Sequence, residues 1–130
     1  MESFELKRTD GLVLTIEGNS LQDAMEHAIF RGIRLENLVI SNVTFKNAEF
    51  RGANFSGAKF SNVRFETVDC TGANLSRASF EKCTFIEVDT MKMDISEALF
   101  EGCQFEGTAF VYAENCDSAG FIECSFEDCV

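Results

Sequence analysis

From Phe30 to Phe110 nearly every fifth residue is large and apolar. The series runs Phe30, Leu35, Ile40, Phe45, Phe50, Phe55, Phe60, Phe65, Cys70, Leu75, Phe80, Phe85, Thr90, Ile95, Phe100, Phe105 and Phe110, and only Cys70 and Thr90 depart from it. Two residues before each stands a companion, small in most cases: Ala48, Ala53, Ala58, Val63, Val68 and Ala73 are typical. A period of five fits no ordinary element. In an α-helix, five residues advance the side chain by about 140°, which sweeps the rings around the cylinder. In a strand, an odd step moves each ring to the opposite face. The remaining solution is a chain that bends once every five residues toward the same side. Both apolar positions then point inward and the other three face water.

A slower period of twenty lies over the first. Gly32, Gly52 and Gly72 share it, as do Phe45, Phe65, Phe85 and Phe105, and Phe60, Phe80 and Phe100. Four bends would close a square turn and stack these equivalents in columns, with a rise of roughly 4.8 Å set by backbone hydrogen bonds between turns. Such internal repeats signal a solenoid, here of about five coils.

The units Ala53-Asn54-Phe55-Ser56-Gly57, Ala73-Asn74-Leu75-Ser76-Arg77 and Ala48-Glu49-Phe50-Arg51-Gly52 resemble the A(D/N)LXX unit of the pentapeptide-repeat family. The resemblance covers about Ala28 to Cys129. It implies an all-β solenoid, a right-handed quadrilateral β-helix. Cys70 and Thr90 at central positions, and Met93 in an inner slot, are local departures.

The first residues read differently, as a cap over residues 1–27 ahead of a repeat over 28–130. Phe4-Glu5-Leu6-Lys7 and Leu12-Val13-Leu14-Thr15-Ile16 suit two strands, with Asp10-Gly11 as their turn. Asn19 or Ser20 suits the N-cap of a helix from Leu21 to about Ile29, with Asp23 in its first turn. Hairpin and helix would cover the open edge of the first coil. The arrangement is similar to that of short phage and prophage members of the family. Met1-Glu2-Ser3-Phe4 begins no basic-then-apolar leader, so a cytoplasmic protein with reduced thiols is expected, and no apolar run is long enough for a membrane span.

After Phe110 the period slips by one residue within Tyr112–Ser118 and resumes as Ala119/Phe121 and Cys124/Phe126. Rings in a last, uncovered coil would be costly to expose, at about 1.5–3 kcal/mol each. Phe121, Cys124, Phe126, Cys129 and Val130 are therefore expected to form an end-to-end homodimer interface, closed by a two-fold axis. The family resemblance implies the same, since several members dimerise through C-terminal coils.

Charge divides the chain. Residues 1–65 carry eight acids and eight bases, whereas residues 66–130 carry fourteen acids and three bases, which accounts for the formal charge of −11. Glu87, Glu101, Glu106, Glu114, Glu123, Glu127 and Asp128 fall at outward positions and form the candidate partner-binding surface. Such a field attracts basic protein surfaces and repels nucleic acid. It equally serves solubility and blocks stacking of edges. The resemblance extends to quinolone-resistance pentapeptide proteins, which imitate DNA at gyrase. It implies a non-catalytic, DNA-mimic-like modulator of a DNA-processing enzyme. A structural or assembly scaffold, of phage type and acting through its ends, is the alternative reading.

Enzyme chemistry finds no footing in the sequence. His27 is the only histidine and falls in the cap helix. A general base needs a nucleophile within hydrogen-bond reach, and the cysteines are expected in the core, save Cys116. The glycines are repeat corners rather than a phosphate loop. Cys83, Cys103 and Cys124 continue the inward column of Val43 and Val63. Their spacing lies within the Cα window for a disulfide, but parallel side chains favour small buried hydrophobes. A single column cannot converge tetrahedrally on zinc. No catalytic, cofactor-binding or metal residue is assigned, and no cofactor is expected.

Overall fold

The computed structural model describes residues 1–108, 110 and 113–127. Its first elements are an antiparallel hairpin of β1 (Glu2–Lys7) and β2 (Val13–Gly18), followed by helix α1 (Leu21–Phe30). At the hairpin turn Gly11 has φ +89°, and the Leu12 amide donates to the Asp10 carboxylate at 3.0 Å. Ser20 caps the helix by accepting from the Asp23 amide at 3.1 Å. Asp23 reaches back to accept from the Asn19 amide at 2.8 Å, a reciprocal arrangement that satisfies two orphan donors.

The helix is tied to the first coil by side chains that imitate a strand. Gln22 donates to the Lys46 carbonyl at 2.9 Å and accepts from the Lys46 amide at 3.0 Å. Glu26 accepts from the Glu49 amide at 2.8 Å. These amides would otherwise lie unpaired on the first coil's edge. The Thr9 amide adds a bond to the Asn37 carbonyl at 2.7 Å. The cap expected from the sequence is thus present.

Two parallel five-stranded sheets form the first and second walls of the solenoid. The first stacks β3 (Val39–Ser41), β5 (Lys59–Ser61), β7 (Ser79–Glu81), β9 (Leu99–Glu101) and β11 (Gly120–Ile122). The second stacks β4 (Thr44–Lys46), β6 (Arg64–Glu66), β8 (Thr84–Ile86), β10 (Gln104–Glu106) and β12 (Ser125–Glu127). Single bridges link the turns along a third wall, through Glu49, Asp69 and Asp89, and a fourth, through Asn54, Asn74, Asp94 and Asn115. Five stacked strands close about four full turns.

The corners explain the period. Every fifth residue from Gly32 to Gly107 has a positive φ, between 50° and 74°. Gly and Asn fill most of these corners, as left-handed backbone favours. Thr67, Arg77, Lys82, Glu87, Lys92 and Glu97 fill the rest. Bonds such as Ala53 amide to Phe50 carbonyl (3.2 Å) and Ala58 amide to Phe55 carbonyl (3.0 Å) close type II turns, which need positive φ at their third residue.

Inside, phenylalanines stack at the rise of the coil. Phe60, Phe80, Phe100 and Phe121 lie face to face at 5.0, 4.7 and 4.8 Å behind the first wall. Phe65, Phe85, Phe105 and Phe126 do the same at 4.9, 4.9 and 4.8 Å behind the second. Neighbouring columns meet edge to face, as Phe80 and Phe85 do at 5.3 Å, the geometry that ring quadrupoles favour.

Phe30 and Ile33 break the expected series. Phe30 is 91% exposed and Ile33 38% exposed. The reason is a change of period. Helix α1 runs through Phe30 and buries Ala24, Met25 and Ala28. Phe30 lies two helical steps beyond Ala28, on roughly the opposite face. The five-residue phase becomes structural only at Leu35, whose amide makes the first coil-to-coil bond, to the Asn54 carbonyl at 3.0 Å.

The slip is a one-residue bulge in the fourth wall. The Glu114 amide bonds the Met93 carbonyl, in step with the Asp94 amide on the Ala73 carbonyl one turn earlier. The Ile95 amide, however, bonds the Asn115 carbonyl, where the Leu75 amide bonds that of Asp94. Glu114 and Asn115 together oppose Asp94, so one residue is extra. Gly120 then pairs with Leu99 and Ser125 with Gln104. Tyr112, the first residue of the interval in which the slip was expected, lies outside the described residues.

Candidate partner-binding surface

The sheet register decides which acids meet. Glu101 ends β9 and continues the first-wall column of Ser41, Ser61 and Glu81. Glu106 and Glu127 end β10 and β12 and pair directly, continuing the column of Lys46, Glu66 and Ile86. Glu123 and Glu87, both with positive φ, occupy the corners on either side of the second wall. These five acids are exposed and gather on two adjacent walls. Glu114, also exposed, stands apart beside the bulge on the fourth wall. Asp128 lies outside the described residues. The register adds Glu81, directly below Glu101. Its signal in the sequence was the spacing of twenty. Carboxylates stacked about one turn apart repel by on the order of 1 kcal/mol in water, a cost offset when a cationic surface arrives.

On the other two walls Asp69, Asp89 and Asp94 are held in local hydrogen bonds. Asp69 accepts from the Thr71 amide at 3.0 Å and the Thr71 hydroxyl at 2.6 Å. Arg51 approaches its other oxygen at 3.2 Å. Burial pushes the Asp69 carboxyl up, but these donors and the Arg51 charge outweigh it, and the group titrates below its ordinary value of 3.8. Asp89, Asp94, Asn54, Asn74 and Asn115 likewise accept from the amide two residues on. This closure of the backbone accounts for Asp or Asn before the central residue of the repeat.

Of the expected dimer residues, Phe121 is 38% exposed, Phe126 is 51% exposed and Cys124 is half-buried. All three lie in the last described turn. Cys129 and Val130 lie outside the described residues.

His27 is exposed on α1 and lies 3.6 Å from Asp23, one helical turn away. Cys70 is fully enclosed, and burial, with Asp69 and Asp89 nearby, pushes its thiol up to about 12. Cys83 and Cys103 are buried in one column with Cys124 above them. Cys103 is held well above its ordinary value by the neighbouring Cys83 thiol and by burial, and the same pairing lowers Cys83. Burial raises Cys124. Cys116, at the central position of the fourth wall's last turn, is exposed. Among the described residues no three or more His, Cys, Asp or Glu side chains gather where a metal ion would fit. Among them, too, no helix is long and apolar enough to cross a membrane. Inside the solenoid, a void of about 10 Å³ lies among rings such as Phe60 and Phe80, too small for a substrate.

Residues 40–84 match the family model described as pentapeptide repeats, in nine copies. Among curated proteins no sequence match is found. Two solved structures of trypsin-treated variants of QnrB1, a plasmid-mediated fluoroquinolone resistance protein, share the coil. One aligns with a TM-score of 0.59 at 22% identity, over 70% of this chain and 47% of the other. The second gives 0.54 at 23% identity, over 65% and 43%. The chain therefore spans about half the length of the structures it matches. The four-walled coil and its left-handed corners continue on both sides of residues 40–84, the stretch that is similar to pentapeptide repeats.

Proposed function

We propose that this protein is a non-catalytic, cytoplasmic protein-binding module, an acidic rod that occupies the DNA-binding surface of a DNA-processing enzyme such as gyrase. The observation that carries this reading is the convergence of Glu81, Glu101, Glu106, Glu123 and Glu127 on two adjacent walls of a rigid solenoid. Regularly spaced carboxylates on a stiff rod present to a basic groove what a phosphate backbone presents. The likeness in fold to a plasmid-mediated fluoroquinolone resistance protein adds support. The test is DNA supercoiling by gyrase, with and without the drug, in the presence of the protein. Glu101→Lys, Glu106→Lys and Glu127→Lys together should abolish any effect while far-UV circular dichroism stays unchanged. A supercoiling rate indifferent to excess wild-type protein would remove gyrase as the partner.

Exposed Phe121 and Phe126 favour a second reading, a scaffold that acts through its apolar end and there meets a second copy of itself. Cys124 would lie in that contact. Sedimentation at micromolar concentration should then show a dimer that Phe126→Asp converts to monomer. A wild-type monomer under those conditions rejects the end-to-end contact.

A further inference from the structure

The thiols of Cys83, Cys103 and Cys124 repeat one set of contacts on three successive turns. Cys83 donates toward the Phe60 carbonyl at 3.5 Å and the Glu81 carbonyl at 3.6 Å. Cys103 does so toward Phe80 at 3.4 Å and Glu101 at 3.6 Å, and Cys124 toward Phe100 at 3.3 Å and Ile122 at 3.4 Å. Their chain neighbours Thr84, Gln104 and Ser125 are paired in register. The sulfurs are therefore related by one turn of the coil, about 4.8 Å. The line joining them runs along the solenoid, across the Cβ–Sγ bonds.

A tetrahedral ion needs four donors around a point, which a line of sulfurs never supplies. A two-coordinate ion needs two sulfurs facing each other across it, about twice a metal–thiolate bond of roughly 2.3 Å apart. The spacing of the column meets that requirement. Soft thiolates select Cu(I), zinc and iron–sulfur clusters, and of these Cu(I) accepts linear two-coordination. We propose that Cys103 and Cys124 form a two-coordinate site for a soft monovalent cation of the Cu(I) class. Cys124 is half-buried in the last described turn and offers the approach, while Cys103 is enclosed. Binding forms two metal–sulfur bonds and releases one thiol proton to solvent. One thiolate, one thiol and the monovalent ion make a neutral unit, as an apolar core requires. The metal keeps its oxidation state throughout. Cys70 belongs to the third wall and Cys116 to the fourth, so neither joins the column.

The test uses the full chain with Cys116→Ser and Cys129→Ser, which removes the exposed thiol and the one outside the described residues. It is titrated anaerobically with Cu(I) against a chromogenic competing chelator, and in parallel with Zn(II). One equivalent of Cu(I) with thiolate-to-metal ultraviolet absorption is expected, with Zn(II) at least a hundredfold weaker. Cys124→Ser and Cys103→Val should each weaken Cu(I) at least a hundredfold, whereas Cys83→Val retains one equivalent. Valine already fills this column at Val63, and unchanged circular dichroism establishes that the variants fold. No binding against the chelator, Cu(I) binding that survives Cys124→Ser, or zinc bound as tightly would each overturn the assignment.

Discussion

Phe80 and Phe30 both lie on the five-residue series, yet the structure gives them opposite energetic roles. Phe80 is buried between Phe60 at 5.0 Å and Phe100 at 4.7 Å, with ring planes within 4° of parallel. It also meets Phe65 at 6.3 Å and Phe85 at 5.3 Å edge to face. Truncating a buried Phe to Ala costs about 3–5 kcal/mol in transfer and cavity terms. Aromatic pairs add roughly 0.5–1.5 kcal/mol each beyond burial. With four such pairs lost, Phe80→Ala should sit at the upper end, about 4–5 kcal/mol, a large share of the roughly 5–15 kcal/mol typical of a domain. Phe30, 91% exposed at the end of the cap helix, should change stability by about 0.5 kcal/mol or less on the same substitution.

Urea unfolding followed by far-UV circular dichroism measures both. The chain has no Trp and a single Tyr, so the backbone is the better probe. Mid-solenoid truncation should also broaden the transition, because neighbouring turns couple through the rings that Phe80 links. A loss above about 1.5 kcal/mol for Phe30→Ala would mean that the repeat begins in the helix and that the period outweighs the cap. A loss below about 2 kcal/mol for Phe80→Ala would refute the stacked core.

Three further outcomes follow from corners, charge and bulge. Thr67 holds a branched side chain at φ +52°, so Thr67→Gly should raise stability by about 1 kcal/mol in the same urea assay. Asp69 has a depressed folded pKa, so its ionic contribution is present above the ordinary value of 3.8 and is lost as pH falls through the lower folded value. The gap in urea midpoint between wild type and Asp69→Asn should therefore narrow on acidification below that value. Deletion of Glu114 should restore the twenty-residue step and leave a folded protein within about 1 kcal/mol of wild type, whereas deletion of Phe85 should abolish the cooperative transition.

What the sequence disclosed and what it withheld have a common physical origin. Each turn repeats one demand, that two positions in five be apolar, so the coil, its columns and its cysteine ladder were legible from spacing alone. Ser20 and Asp10-Gly11 announced the cap because each closes a local hydrogen bond. The exposed Phe30 was hidden because two periodicities overlap at Ala28, which satisfies both. The side chains of Gln22 and Glu26 gave no signal, since their partners Lys46 and Glu49 lie 24 and 23 residues away. The acids were visible as outward residues, but their division into a cluster on two walls and a lone Glu114 required the register.

The bulge shows how a solenoid separates its surface from its core. If the extra residue at Glu114–Asn115 were not taken up in a bulge, the following chain would stand one step out of phase. Gly120 and Ser125 would then face inward, and Phe121 and Phe126 would face water. With it, Phe121 stacks on Phe100 at 4.8 Å and 3°, and Phe126 on Phe105 at 4.8 Å and 7°. The extra residue sits on the fourth wall, which is linked by single bridges rather than three-residue strands, so one backbone position absorbs it. The same correction sets Glu127 directly on Glu106. A requirement of the core therefore places two carboxylates one turn apart on the wall proposed to meet a partner. The lateral order of that surface is inherited from the packing of the rings beneath it.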